Sequence, residues 1–284
     1  MNNVPTVYGQ YTKEQLLAMS GQLVAGTKDF LSNLYINKNP ETKEGADAPV
    51  GGFTFDHKDL GQVYAPRKTS ILFKPYVKGF RYEAYDPKAN NGEGANCGRS
   101  IIFHDFKEEI ISDNGLVKAG KLSPEKLPEG AQVRCKIIVY GTISFEGTDK
   151  FGKPVSIKDY PVFIKLGGKR FLDYDKIFKD FTKSSKIMFQ YDLKLTPKHI
   201  KDSNYVAEIE WNNLTVQHDI TEEVMDTLTK FLDYIASENK RVENKWKRII
   251  EKAAQPTAPE LVEDAAADNL SNDLKEEDLV EDAE

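Results

Sequence analysis

The fourteen residues from Gln132 to Phe145 alternate regularly enough to fix the two faces of a strand. The odd positions are Val133, Cys135, Ile137, Val139, Gly141, Ile143 and Phe145; the even positions are Gln132, Arg134, Lys136, Ile138, Tyr140, Thr142 and Ser144. Side chains of a strand point to opposite faces with a period of two, so the odd set is expected in a core and the even set outside it. Cys135 then reads as a small buried hydrophobe, not as a nucleophile.

The same parity test extends along the chain. In Thr69–Lys78 it puts Ile71, Phe73 and Val77 on one face and Lys74, Tyr76 and Lys78 on the other, with Arg81 just past Gly79. Thr69–Tyr85 is expected as two strands hinged at Lys78-Gly79. In Lys186–Leu195 the core face is Ile187, Phe189, Tyr191, Leu193 and Leu195, which leaves Lys186, Met188, Gln190 and Lys194 outside. Tyr205–Thr215 buries Tyr205, Ala207, Ile209 and Trp211 and exposes Glu208 and Glu210, so it is the strand least suited to face an anion. Further strands are expected at Arg99–Phe106 and Val155–Leu166, and a glycine-rich loop at Asp86–Gly98.

Helical signals are fewer. A capping box at Thr12-Lys-Glu-Gln15 opens an amphipathic pattern that runs through Leu31 and Leu34. Phe171, Tyr174, Phe178 and Phe181 give a short helix over Phe171–Thr182. From Thr221 to about Ala253 a long helix carries the stripe Val224, Leu228, Phe231, Ile235, Val242, Trp246 and Ile249. Packing of that stripe on the body is expected, with a partner helix as the alternative. Several strands, one inserted helix and no regular βα alternation give a mainly β, α+β fold: a small antiparallel barrel or sandwich with helical additions. The expected divisions are an N-terminal helical segment over 1–36, a β domain over 37–219, a C-terminal helix over 220–254 and an acidic tail over 255–284.

Charge is divided between these parts. The net charge is −6, yet Pro256–Glu284 holds eleven acids against one base, so the rest of the chain is positive. Lys150–Lys201 has thirteen bases and five acids, interleaved with nine Phe and Tyr. The tail has no aromatic residue and is expected to be disordered. Tethered to a cationic groove, it would compete with weak anions at an effective concentration of about millimolar. Lysine and arginine beside tyrosine are the combination that holds single-stranded nucleic acid, the cations on phosphates and the rings on unpaired bases. The expected phosphate contacts are Lys74, Lys78, Arg81, Arg134, Lys136, Lys186 and Lys194, with Lys165, Lys169 and Arg170 at a rim. Tyr76 and Tyr140 are the expected stacking residues, with Tyr82 and Tyr85 in reserve.

Other chemistry has little support in the sequence. The two cysteines, Cys97 and Cys135, are too few for a thiolate zinc site, and His104-Asp105 matches no metal-binding spacing. The glycines from Gly92 to Gly98 miss the spacing of a nucleotide-phosphate loop, and Arg99 stands where its lysine would be. No metal or cofactor is expected, nor an enzyme. The N-terminus has no secretory layout and no window suits a membrane span, so a cytoplasmic protein is expected.

The segments Asp29-Phe-Leu-Ser-Asn-Leu-Tyr-Ile-Asn37, Ile71-Leu-Phe-Lys-Pro-Tyr76, Gly98-Arg-Ser-Ile-Ile-Phe103 and Lys136-Ile-Ile-Val-Tyr-Gly-Thr142, with a helix before the last strands and an acidic C-terminus, carry a resemblance. Together they resemble the single-stranded-DNA-binding proteins of tailed bacteriophages, the T7-type replication proteins. The resemblance implies an enlarged oligonucleotide/oligosaccharide-binding (OB) barrel that coats exposed strands during replication and recombination, without catalysis. It also implies an acidic tail that contacts polymerase, helicase or primase. Tails of that family end in an aromatic residue, whereas Glu281-Asp-Ala-Glu284 does not, so docking through a terminal ring is not expected. Two other readings stand beside this one: a protein–protein adaptor or virion component built on the C-terminal helix, and a metal-dependent nuclease with dispersed carboxylates.

Overall fold

Two long strands form the frame. In the computed structural model, which describes residues 31–42, 45–90, 94–104, 128, 130–200 and 205–254, β4 (Ile71–Asp86) pairs antiparallel with β6 (Gln132–Asp149) from Leu72↔Ser144 to Tyr85↔Gln132. The other strands are β1 (Ser32–Ile36), β2 (Phe53–His57), β3 (Gly61–Tyr64), β5 (Ala95–Arg99), β7 (Pro154–Leu166), β8 (Asp192–His199) and β9 (Tyr205–Asn212). The helices are α1 (Phe171–Lys183) and α2 (Glu222–Ala254). The sheet order is β3-β2-β1-β7-β6-β4-β8-β9, with β5 on β4 and with β3 pairing back onto the far end of β6. Strands β1, β2, β3, β6 and β7 therefore close on one another. All pairings are antiparallel except β1 with β7, which is parallel through Asn33↔Phe163, so the sheet is mixed and not purely antiparallel.

The interior is where the parity of β6 placed it. Ile137, Val139 and Ile143 join Phe53, Phe55, Phe73, Phe80, Ile164, Leu193 and Leu195 in one apolar core, closed on one side by Tyr174 and Phe178 of α1. β6 passes close to β4 at Gly141, where an added Cβ would run into the Lys74 carbonyl and the Phe73 ring. β4 is one strand of sixteen residues and not two hinged at Gly79. It carries a bulge between Pro75 and Val77, where Tyr76 is the extra residue. The core set is consequently odd before the bulge (Ile71, Phe73) and even after it (Phe80, Tyr82, Ala84).

Three other expectations change. Ser32–Ile36 is a strand, so the helical pattern does not extend to residue 36, and its earlier part lies outside the described residues, as does the tail. Lys186–Leu195 is not one strand: a single 3-10 turn occupies Met188–Gln190, leaving Ile187 exposed, and β8 begins at Asp192. Ala95–Gly98, expected within a loop, forms with Arg99 a strand on the edge of β4, and the strand expected from Arg99 onward ends there, leaving only an isolated bridge from Phe103 to Phe80 among the described residues that follow.

Helix α2 lies on the outer face of the sheet. Val224, Phe231, Ile235 and Val242 are buried, following the stripe read from the sequence, and Asn239 caps the contact by accepting from Ile102 N at 2.7 Å and donating to Ile102 O at 3.2 Å. The alternative that this stripe serves a partner helix therefore does not hold for the part up to Val242. Phe231→Ala removes a ring that is 3% exposed, and we expect it to cost about 3 kcal/mol in urea unfolding, as large-to-small core changes do.

Candidate functional site

The two expected stacking residues are under α2. Phe231 lies 5.4 Å from the Tyr76 ring and 6.2 Å from the Tyr140 ring, and Tyr234 lies 6.1 Å from Tyr140. Tyr76 also stacks on Phe189 at 6.0 Å. Tyr76 and Tyr140 are 6% and 2% exposed, and burial raises the pKa of both phenols. No base can reach either ring while the helix is in place. The reserves do no better: Tyr82 is fully buried in the interior and Tyr85 is half-buried beside Gly94. Ile138 is the sequence sign of this cover. An apolar residue on an otherwise polar face has to be hidden by something, and it is 0% exposed.

Beyond the rings, the same face gathers charge. The register sets Arg81 opposite Lys136, Glu83 opposite both Arg134 and Arg99, and Ile138 opposite Lys165, so these residues share one face. α2 adds Glu238, which accepts from Arg241 at 2.8 Å and Arg81 at 3.3 Å and stands 3.8 Å from Arg99. Lys165 donates to Glu83 at 3.0 Å. Six cations from five elements thus surround two carboxylates. Burial lowers the pKa of Arg99, reinforced by the Arg81 charge, and Glu238 only partly restores it. Burial alone would raise Glu83, but the Lys165 charge and hydrogen bond, with Arg81 and Lys136, outweigh it and hold the carboxyl below its ordinary value. Arg81 is 5% exposed, and its Nε is buried without a hydrogen-bond partner. The excess positive charge is open at Arg99 and Arg241, whose side chains are 33% and 55% exposed, and at half-buried Arg134 and Lys136. Four of the expected contacts, Arg81, Arg134, Lys136 and Lys165, are therefore together.

The remaining expected contacts are elsewhere. Lys78 falls on the opposite face because the bulge at Tyr76 reverses parity; it lies 4.0 Å from Asp175 of α1 and 4.5 Å from the Phe80 ring. Lys194 sits opposite Leu72, nine residues or about 30 Å of strand from Arg81, and donates to Glu210 at 2.8 Å. Lys74 is near that end too, 5.8 Å from the Tyr76 ring. Lys186 donates to the Leu214 carbonyl at 3.0 Å. Gly167 lies against the Lys136 side chain, so the turn carrying Lys169 and Arg170 leaves the sheet beside the cluster, with Lys169 exposed; Arg170 turns to Asp173 at 3.6 Å and to the Tyr174 ring.

Sequence reasoning missed Arg99, Arg241, Glu83 and Glu238. Arg99 follows a loop-like glycine run, and Arg241 lies on a helix whose polar face carried no register to the sheet. Cys135 is half-buried against Tyr82 and Ala84, and burial pushes its thiol up to about 12, in keeping with an inert role. Among the described residues no group of three or more His, Cys, Asp or Glu could hold a metal, and no helix is long and apolar enough to cross a membrane.

A depressed carboxyl stabilises the fold fully above its unfolded value, about 4.3, and loses that contribution as the pH falls through the lower folded value. Both partners are partly exposed, so Glu83→Gln should cost about 1–2 kcal/mol at neutral pH, less than a fully buried pair. In urea titrations the gap to the wild type should close as the pH is taken below 4.3.

No protein-family model, no curated protein and no solved structure matches this chain.

Proposed function

We propose that the chain is a sequence-tolerant single-stranded-DNA-binding protein, which would coat exposed strands during replication and recombination. The observation that carries this reading is the convergence of Arg81, Arg99, Arg134, Lys136, Lys165 and Arg241 on one end of one sheet face, where among the described residues Glu83 and Glu238 are the carboxylates paired with them. Phosphates of an extended strand meet such a patch without any base being read, which accounts for tolerance of sequence. The connectivity supports an OB-like barrel within the larger sheet. Apart from the edge strand β5, strands β4, β6 and β7, then α1, then β8 and β9 follow one another, with β6 between β4 and β7, and β8 between β4 and β9. On that assignment β6 and β7 are the second and third strands, the pair whose outer face binds oligonucleotides in OB folds, and they supply Arg134, Lys136 and Lys165.

Magnitudes decide against the buried tyrosines as base platforms. Lifting α2 would expose Val224, Phe231, Ile235 and Val242 at about 1.5–3 kcal/mol each, whereas stacking returns about 1–3 kcal/mol per base. The helix stays, and the strand is held at the charged end beyond it. The acidic tail, residues 256–284, begins two residues after α2 and would compete for the same cations; it is also the segment that would recruit polymerase, helicase or primase.

Fluorescence polarisation with a labelled dT oligonucleotide tests the reading. Arg134→Glu with Lys136→Glu should weaken binding at least about 10-fold, and deletion of 256–284 should tighten it. Equal affinity for duplex and single strand, or a charge reversal without effect, would contradict it.

A further inference from the structure

At the tip of the β6–β7 hairpin the chain displays Phe151, 57% exposed, between half-buried Lys150 and exposed Lys153. Among the described side chains it is the one exposed Phe, Tyr or Trp ring. A single exposed ring is ordinary in itself, but this turn holds its backbone in a fixed conformation with a cation on either side. The Asp149 carboxylate, 9% exposed, accepts from Phe151 N at 2.8 Å and from Lys153 N at 2.9 Å. Asp149 N donates to the Lys153 carbonyl at 2.9 Å, and Gly152 N donates to the Asp149 carbonyl at 3.0 Å. Gly152 has φ +78°, a left-handed conformation that suits glycine, and an added Cβ would meet nothing. From outside the hairpin, Thr42 Oγ1 donates to the Lys150 carbonyl at 2.9 Å, and the Lys150 stem lies against Gly61 of β3. The Lys150 ammonium sits 5.0 Å from the centre of the Phe151 ring.

We infer that Phe151 is a base-stacking residue, with Lys150 and Lys153 taking the adjacent phosphates; this rests on the single-strand-binding reading above. One nucleotide offers both things the tip is made for, a flat apolar face and a negative charge beside it. A protein partner fits less well. A hot spot of that kind needs an apolar surround to exclude water, and here the ring is flanked by two cations. The tip lies at the opposite end of β6 from Arg134 and Lys136, so it makes a second contact on the longest hairpin and does not merely extend the charged cluster.

Phe151→Ala and Phe151→Trp in the full-length chain test the inference, with a labelled dT oligonucleotide and an abasic oligonucleotide of equal length as probes. Phe151→Ala should bind dT about 10-fold more weakly and the abasic strand as the wild type does. Phe151→Trp should bind dT like the wild type and show a fluorescence quench on binding beyond any shown by Trp211 and Trp246 in the wild type. If the wild type binds dT and Phe151→Ala binds it equally well, the inference falls and the single-strand reading stands. An equal loss toward the abasic strand would likewise overturn it, since bases would then not be what the ring meets. If the wild type binds neither probe, both readings fall.

Discussion

The contact of Phe231 with Tyr76 and Tyr140 decides what the rest of the molecule can offer. A sheet with apolar residues on both faces needs a cover on each. α1 closes the interior through Tyr174 and Phe178, and α2 closes the outer face over Ile138 and Tyr140. With both faces closed, polar chemistry is confined to the margins: the charged end past Glu238, the hairpin tip at Phe151, and the β8–β9 edge. That edge is neutralised by its own cross-strand pairs, Lys194 with Glu210 and Lys198 with Glu208.

Glu238 joins the two halves of this arrangement. It is on the helix that covers the rings, yet its carboxylate is shared among three arginines of the charged end. Packing and electrostatics are therefore coupled: the register that seats Phe231 on the tyrosines also seats Glu238 on Arg81, seven residues or about two helical turns further along. One carboxylate among three guanidiniums leaves excess charge, and Arg99 and Arg241 carry it toward solvent. On the proposed function, a phosphate strand arriving there would meet side chains already held in place by the sheet register, so little additional ordering would be needed.

Period-two patterning made Ile137, Val139 and Ile143 legible as core residues, and period-3.6 patterning did the same for Val224, Phe231, Ile235 and Val242. What alternation lacks is any account of what lies above a face. Tyr140 reads the same whether it meets solvent or a helix, and only Ile138, between Lys136 and Tyr140, hinted at the cover. The bulge at Tyr76 was not legible either, because one inserted residue leaves the composition of β4 unchanged while it sends Lys78 to the side of α1. Of the site, Arg134 and Lys136 were readable from strand parity and Lys165 from the charge of its segment, whereas Arg81, an odd position named only as lying past Gly79, reaches this face because the bulge reverses the parity of β4. Arg81 and Glu238 are 157 residues apart, and nothing local in either stretch announces the pair.

Cations at this end of the sheet are proposed to hold the phosphates of a single strand. The most direct measurement is the slope of log affinity against log salt for a dT oligonucleotide. Four or five phosphate contacts predict a slope near −3, falling by roughly one and a half when Arg134 and Lys136 are both replaced by alanine. A slope near zero, or one that the double replacement leaves unchanged, would mean that these cations do not hold the strand.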